Sequence, residues 1–343
     1  MYEAFYSLSG KPFQLSPDPR FFFNSRGHKR ALSYLRYGVK QGEGFIIVTG
    51  DVGTGKTTLV TALFKALEQE DVVAAQIVTT QLQADDMLRM VASAFGLNSE
   101  RVGKATLLSN LERFFRACAQ EGKRVLLVVD EAQGLPKKSI EELRMLSNFQ
   151  MNGRALLQTF MLGQREFRAT MRSEGFEQLR QRVIAAYHLK PLDLEETKGY
   201  VTHRLATAGW RNDPEIHDAV FDGIHEFTAG VPRRINTLCD RLLLFGCLEE
   251  LHVIDIDAFR SVTRDIREEH GESTQDVALQ VNVTDNSKQI GKSGDRTGDS
   301  DDRIIAMEKS VASLAEAMRD ELSMLRQALL EQNKKDNSNA EER

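Results

Sequence analysis

The sequence predicts an α/β domain whose parallel sheet carries helices on both faces, followed by a small all-helical domain and a separate C-terminal helix. Three observations predict it. Short apolar runs alternate with amphipathic helical patterns through residue 192. Only helical patterns follow from 193 to 270. From 271 the composition shifts to Asp, Ser, Gly and Asn, and helical periodicity returns at 304.

The strand candidates are Phe45–Thr49, Ala74–Thr79, Val125–Val129, Leu156–Leu162 and Ala185–Leu189. They are apolar without polar alternation, as expected for parallel strands buried on both faces. Between them lie helical patterns: Val60, Leu63, Phe64 and Leu67 at i, i+3, i+4 and i+7, then Leu107–Ala119 and Ile140–Phe149. The later helices are expected at Leu194–Ala208, Ile216–Thr228, Arg233–Glu249 and Asp257–Glu269, with Pro232 near the start of the third. The expected partition is an α/β domain at 1–192, a helical domain at 193–270, a disordered linker at 271–303, a helix at 304–332 and a fraying tail at 333–343. Ile304, Met307, Val311, Leu314, Met318, Leu322, Leu325 and Leu329 form a heptad seam with one four-residue stutter. Alone, so narrow an apolar stripe is marginal in water. It pairs with another copy or docks on a partner, the alternative being a tail that folds back on its own domain.

Composition bounds the class. Among 343 residues, 41% are hydrophobic and 28% charged, with a net charge of −5, which excludes collagen-like and wholly disordered chains. The acidic balance argues against nucleic acid as the partner, although a local basic face is compatible with it. Cys118, Cys239 and Cys247 sit in apolar helical stretches without CxxC spacing, and read as reduced thiols packed as small hydrophobes. No export signal is visible at the N-terminus, and the longest apolar runs (45–48, 125–129, 242–245) fall far short of the ~20 residues needed to cross a bilayer. The expectation is a soluble, cytoplasmic protein, peripheral at the inner membrane only through a partner.

Two motifs carry chemistry. Gly50-Asp51-Val52-Gly53-Thr54-Gly55-Lys56-Thr57 fits GxxxxGK[ST], follows the apolar run FIIVT and opens a helix at Thr58. Glycines let backbone N–H groups curl around phosphate oxygens, and the helix N-terminus adds favourable dipole charge. Lys56 is expected to reach the β/γ-phosphates and Thr57 to ligate Mg²⁺. The second motif is VLLVV ending in Asp130-Glu131. It sets two carboxylates at the carboxyl edge of the sheet, Asp130 to hold Mg²⁺ largely through water and Glu131 to polarise the water attacking the γ-phosphate of ATP.

Together with GVPRRIN, these motifs resemble those of AAA+ ATPases of the P-loop class. The opening YEAFYSLSGKPFQLSPDPRFFFNSRGHKRAL, with GEGFIIVTG, DEAQ, MLGQREF and LRQRV, resembles general secretion pathway ATPases of the ExeA/GspA type. Within these it is most similar to the ATPase associated with exosortase (XrtA), PEP-CTERM and exopolysaccharide systems. The resemblance covers about residues 1–265. It implies that Gln164 senses the γ-phosphate, that Arg180 or Arg182 completes a neighbouring copy's site in a homo-oligomer, and that Arg233 couples a helical lid to nucleotide state. Arg182 is the preferred finger; Arg234 points about 100° away and meets solvent or an acid. It further implies protein partners in an envelope export or polysaccharide machine. A DNA-binding regulatory ATPase of the transposition type is the rival from another class.

The remaining candidates are weaker. The Pro12–Phe23 segment, rich in proline and aromatics, either stacks on the base or packs against the lid. His188 reads as a hydrogen-bonded structural residue in a strand. The basic cluster Arg26, His28, Lys29, Arg30, Arg36 and Lys40 spans a helical pattern and reads first as a solvated face. No histidine has metal-ligand spacing to cysteine, so no zinc site is expected.

Overall fold

Five strands form the central sheet: β1 (Phe45–Gly50), β2 (Val72–Val78), β3 (Arg124–Asp130), β4 (Leu157–Gly163) and β5 (Val183–Leu189). Their order is β2-β3-β4-β1-β5 and every pairing is parallel. The structure, a computed structural model, describes residues 1–16, 18–78 and 84–269. The linker, the 304–332 helix and the tail expected from sequence lie outside these residues, as does Thr79.

The sheet order matters for function because β4 lies between the strand that ends in the glycine loop and the strand that ends in the acid pair. Register keeps the three level: Val48 pairs with Leu162, and Met161 with Val129. All three strands therefore deliver their carboxyl ends to one edge, where open α/β sheets bind ligands.

Both faces are covered, and strict alternation along each strand divides the residues between them. Ile46, Val48, Leu126, Val128, Phe160 and Leu162 pack against helices α1 (Arg26–Gln41) and α2 (Lys56–Leu67). Phe45, Ile47, Leu127, Val129 and Met161 face the opposite layer. That layer comprises α3 (Ala84–Ala94), α4 (Lys104–Gln120), α5 (Lys137–Leu146) and α6 (Arg165–Arg172). Phe115 and Leu111 of α4 are fully buried in it.

Helices α7 (Leu194–Thr207), α8 (Asp218–Thr228), α9 (Pro232–Leu248) and α10 (Ile256–Glu269) enclose a third core. Asp193 opens α7 with a capping box, its carboxylate accepting from the Glu196 N–H while Glu196 reaches back. Tyr2, Tyr6, Leu8, Phe13 and Phe21 insert into this same core. Phe13 and Phe21 are buried among the helices, whereas Phe22 and Phe23 line a cavity, Phe23 also packing against this core. This region is not wholly helical as expected, since Glu215–Ile216 pairs in parallel with Val253–Ile254. Two residues per strand leave too little periodicity to read from sequence.

Candidate functional site

The loop after β1 is held from below. Gly55 caps the start of α2 with φ at +92°, and a β-carbon there would stand 2.8 Å from His28 Nε2. His28 is buried under the loop, its Nδ1 2.8 Å from Ser25 Oγ. Burial holds its pKa below the usual value, while a hydrogen bond to the Thr54 backbone acts the other way. The helical pattern of the basic cluster is present, but His28 is not on a solvated face. Arg26 stays on that exposed face, where it donates to Glu196 and Asp193.

Lys56 is buried, and its Nζ donates to the Gly50 and Asp51 carbonyls at 2.9 and 3.1 Å. Desolvation lowers its pKa, opposed by Glu131, Asp130 and Asp51. A phosphate beside it would relieve that penalty. The first N–H groups of α2 have no acceptor within the helix. Val52, Gly53, Gly55, Lys56, Thr57 and Thr58 line the cavity. Gly50, Asp51 and Thr54 brace the loop instead, with Thr54 Oγ1 donating to the Asp51 carbonyl and the Asp51 carboxylate pairing with Arg165.

The second motif meets the first directly. Thr57 Oγ1 donates to Asp130 Oδ2 at 2.8 Å, bridging 73 residues of sequence. Asp130 is 1% exposed. A hydroxyl and a carboxylate oxygen side by side are hard donors of the kind Mg²⁺ takes while keeping most of its water, so this pair fits that ion. Glu131 sits at φ +54°, a left-handed conformation, and lines the cavity. The Gln133 amide donates to its Oε2, and Gln164 Nε2 lies 3.3 Å from the same oxygen. Gln164 also donates its backbone N–H to Gln133 Oε1 at 2.9 Å.

The helical region closes the cavity from above. The backbone N–H of Arg233 donates to the Gly53 carbonyl at 3.2 Å, and the Arg233 side chain lines the cavity. Arg234 is exposed. Together with Gln14, Leu15, Phe22, Phe23, Tyr200, Arg204 and Asn236, these groups bound a volume of about 300 Å³. Leu15 and Val52, among the exposed large hydrophobics of the described residues, stand on it.

The two arginines expected to act on a neighbouring copy are elsewhere. Arg180 donates to the Met171 and Ser173 carbonyls, and Arg182 to Ser147 Oγ at 2.8 Å. His188 hydrogen-bonds Thr49 Oγ1 at 3.0 Å. Sequence reasoning passed over Gln133, Arg165, Tyr200, Arg204 and Asn236. For Arg204 a signal existed, because an arginine at i+4 from Tyr200 falls on the apolar stripe of α7.

Residues 39–171 match the family described as AAA domain. The chain is 37% identical over 255 residues to General secretion pathway protein A of Aeromonas hydrophila, covering 74% of itself and 46% of that protein. It thus spans about half the length of that relative. The AAA+ architecture is also that of solved structures. The Aeropyrum pernix ORC2 protein in its ADPNP–ADP complexes gives a TM-score of 0.58 at 17% identity, over 74% of this chain and 70% of that one. Drosophila ORC bound to DNA gives 0.56 at 16%, over 76% and 64%. The Walker-type ATPase of Pyrococcus abyssi gives 0.52 at 12%, over 78% and 80%. At such identities the likeness shows the fold, the parallel-sheet P-loop NTPase fold of AAA+ proteins with a helical C-terminal part. Among the described residues no helix is long and apolar enough to cross a membrane.

Proposed function

We propose that this chain binds ATP with Mg²⁺ between its α/β and helical parts, hydrolyses it, and uses the cycle to drive conformational change in an assembly. One observation carries this reading: Lys56, Thr57 and Glu131 line a single cavity, with Asp130 hydrogen-bonded to Thr57.

The loop amides and Lys56 hold the phosphates, and Thr57 and Asp130 hold Mg²⁺, which when bound neutralises charge on the phosphate oxygens. Glu131 orients a water for in-line attack. The new bond joins the water oxygen to the γ-phosphorus as the β–γ bridge breaks, leaving ADP and phosphate, and Glu131 takes up the proton. Catalysis of this kind is positioning and electrostatics. Gln164 and Arg233 read the γ-phosphate, and Arg180 or Arg182 from a neighbouring copy completes the site of a homo-oligomer.

The proposed task is energising an envelope secretion or exopolysaccharide (exosortase, PEP-CTERM) system from the cytoplasmic face, with membrane contact only through a partner. Support for the secretion branch comes from the identity to the Aeromonas protein.

Isothermal titration and steady-state turnover of three proteins test the reading. Lys56→Ala should lose ATP binding. Glu131→Gln should bind ATP with turnover lowered about 10²–10⁴-fold. Unchanged affinity in the first, or near-normal turnover in the second, would refute the assigned roles. The same assay with DNA decides the transposition-type alternative, which requires salt-sensitive stimulation.

A further inference from the structure

Arg204 is a buried cation in the wall of the cavity, 7% exposed. Among the described residues it has no carboxylate partner; its hydrogen bonds go to neutral oxygens. Nε donates to the Pro12 carbonyl, Nη2 to the Gln14 carbonyl at 3.4 Å, and Nη1 to the Tyr200 hydroxyl at 2.9 Å. That hydroxyl donates in turn to Asn236 Oδ1 on α9 at 2.8 Å. The guanidinium carbon also lies 5.0 Å from the Phe21 ring and 5.5 Å from that of Tyr200. Burying a charge without a counter-ion is costly unless its donors are satisfied. A planar guanidinium satisfies them from three separate nitrogens, reaching acceptors that the single nitrogen of an ammonium does not span.

The acceptors explain why the charge is kept. Pro12 and Gln14 belong to the N-terminal segment whose Gln14, Leu15, Ser16 and Asp18 line the cavity beside α7. Phe23 of this stretch stacks edge-on against Tyr200 at 5.8 Å, and Phe22 against His28 at 5.8 Å. One wall thus touches both the lid helix and the support of the phosphate loop.

We infer that Arg204 is a positioning residue that pins the Pro12–Ser16 segment to helices α7 and α9, so that the non-phosphate part of a nucleotide, its base and ribose, is gripped by the lid and the N-terminal segment as one body. The inference rests on the nucleotide reading above and adds the group that builds the second half of the site. Arg204 acts through the backbone it holds, so its loss weakens recognition of the nucleoside without disturbing the phosphate loop.

The test compares the dissociation constants of ATP and of inorganic tripolyphosphate, both with Mg²⁺, for the full chain and for Arg204→Lys and Tyr200→Phe. Two lost hydrogen bonds from a charged donor are worth about tenfold or more in affinity. Arg204→Lys should therefore weaken ATP about tenfold and leave tripolyphosphate within about twofold. Tyr200→Phe keeps the ring and removes only the hydroxyl bridge, and should shift the ratio the same way by a smaller factor. If Arg204→Lys fails to fold, Tyr200→Phe decides alone. A ratio unchanged in the folded variants, or both ligands weakening together, overturns the inference while leaving the nucleotide reading intact. A parent chain that binds neither ligand sinks both.

Discussion

At Gly55 the backbone turns through φ +92°, and the space a side chain would occupy is filled by the His28 imidazole. The two residues are one device, a loop shape held from beneath by a buried ring. Burial depresses the His28 pKa. Its folded value lies below the unfolded value of about 6.5, so as pH falls the unfolded chain binds the proton first. Stability is therefore undiminished above about pH 6.5 and is lost as pH drops from there towards the folded pKa. Urea midpoints at pH 7.5 and 5.5 should fall more steeply for the parent than for His28→Asn; parallel slopes would remove His28 from the account. The loop, Lys56, Asp130 and Glu131 were legible in sequence because spacing alone defines them. His28 was not, because its RGHKR context reads as surface, and only the packing of α1 beneath the loop buries it.

Gly230 governs the joint between elements. It adopts φ +67°, its carbonyl accepts from the Leu192 N–H at 2.9 Å, and a β-carbon would lie 1.9 Å from the Leu192 carbonyl oxygen. The segment entering α7 and the segment entering α9 are thereby clamped together, and α9 then presents the Arg233 N–H to the phosphate loop. Gly230→Ala should cost about 2–4 kcal/mol, combining left-handed strain with the overlap. Chemical denaturation measures it, and a loss within about 0.5 kcal/mol, the range of ordinary surface changes, would show that the joint relaxes freely. The five strands and four of the helices of the α/β part were readable from periodicity, with boundaries shifted by a few residues, whereas Ala84–Ala94 and Arg165–Arg172 were not foreseen. Val72–Val78 begins two residues before its expected start, and Lys137–Leu146 three before. The strand pair at 215–216 and 253–254 escaped because each strand is only one pleat repeat long, too short for alternation to show.

At the scale of the whole molecule, assembly decides whether the site is complete. Arg180 and Arg182 hydrogen-bond to the Met171 and Ser173 carbonyls and to Ser147, and neither lines the cavity of its own chain. If one of them serves a neighbouring copy, turnover per mole should rise with protein concentration, and Arg182→Ala or Arg180→Ala should lower it about 10³-fold or more while sparing ATP affinity. Constant specific activity together with unaffected variants would make each chain an independent enzyme.

Sequence by itself determined the layered α/β class, the phosphate loop and the acid pair, since each depends on local spacing and on apolar runs that must be buried. Tertiary structure decided the order of the strands, which puts β4 between the two motifs and still brings Thr57 within 2.8 Å of Asp130. It also decided the rest of the cavity. His28, Tyr200, Arg204 and Asn236 come together only when the helical part folds back over the sheet edge, and contacts across such separations leave no periodic trace along the chain.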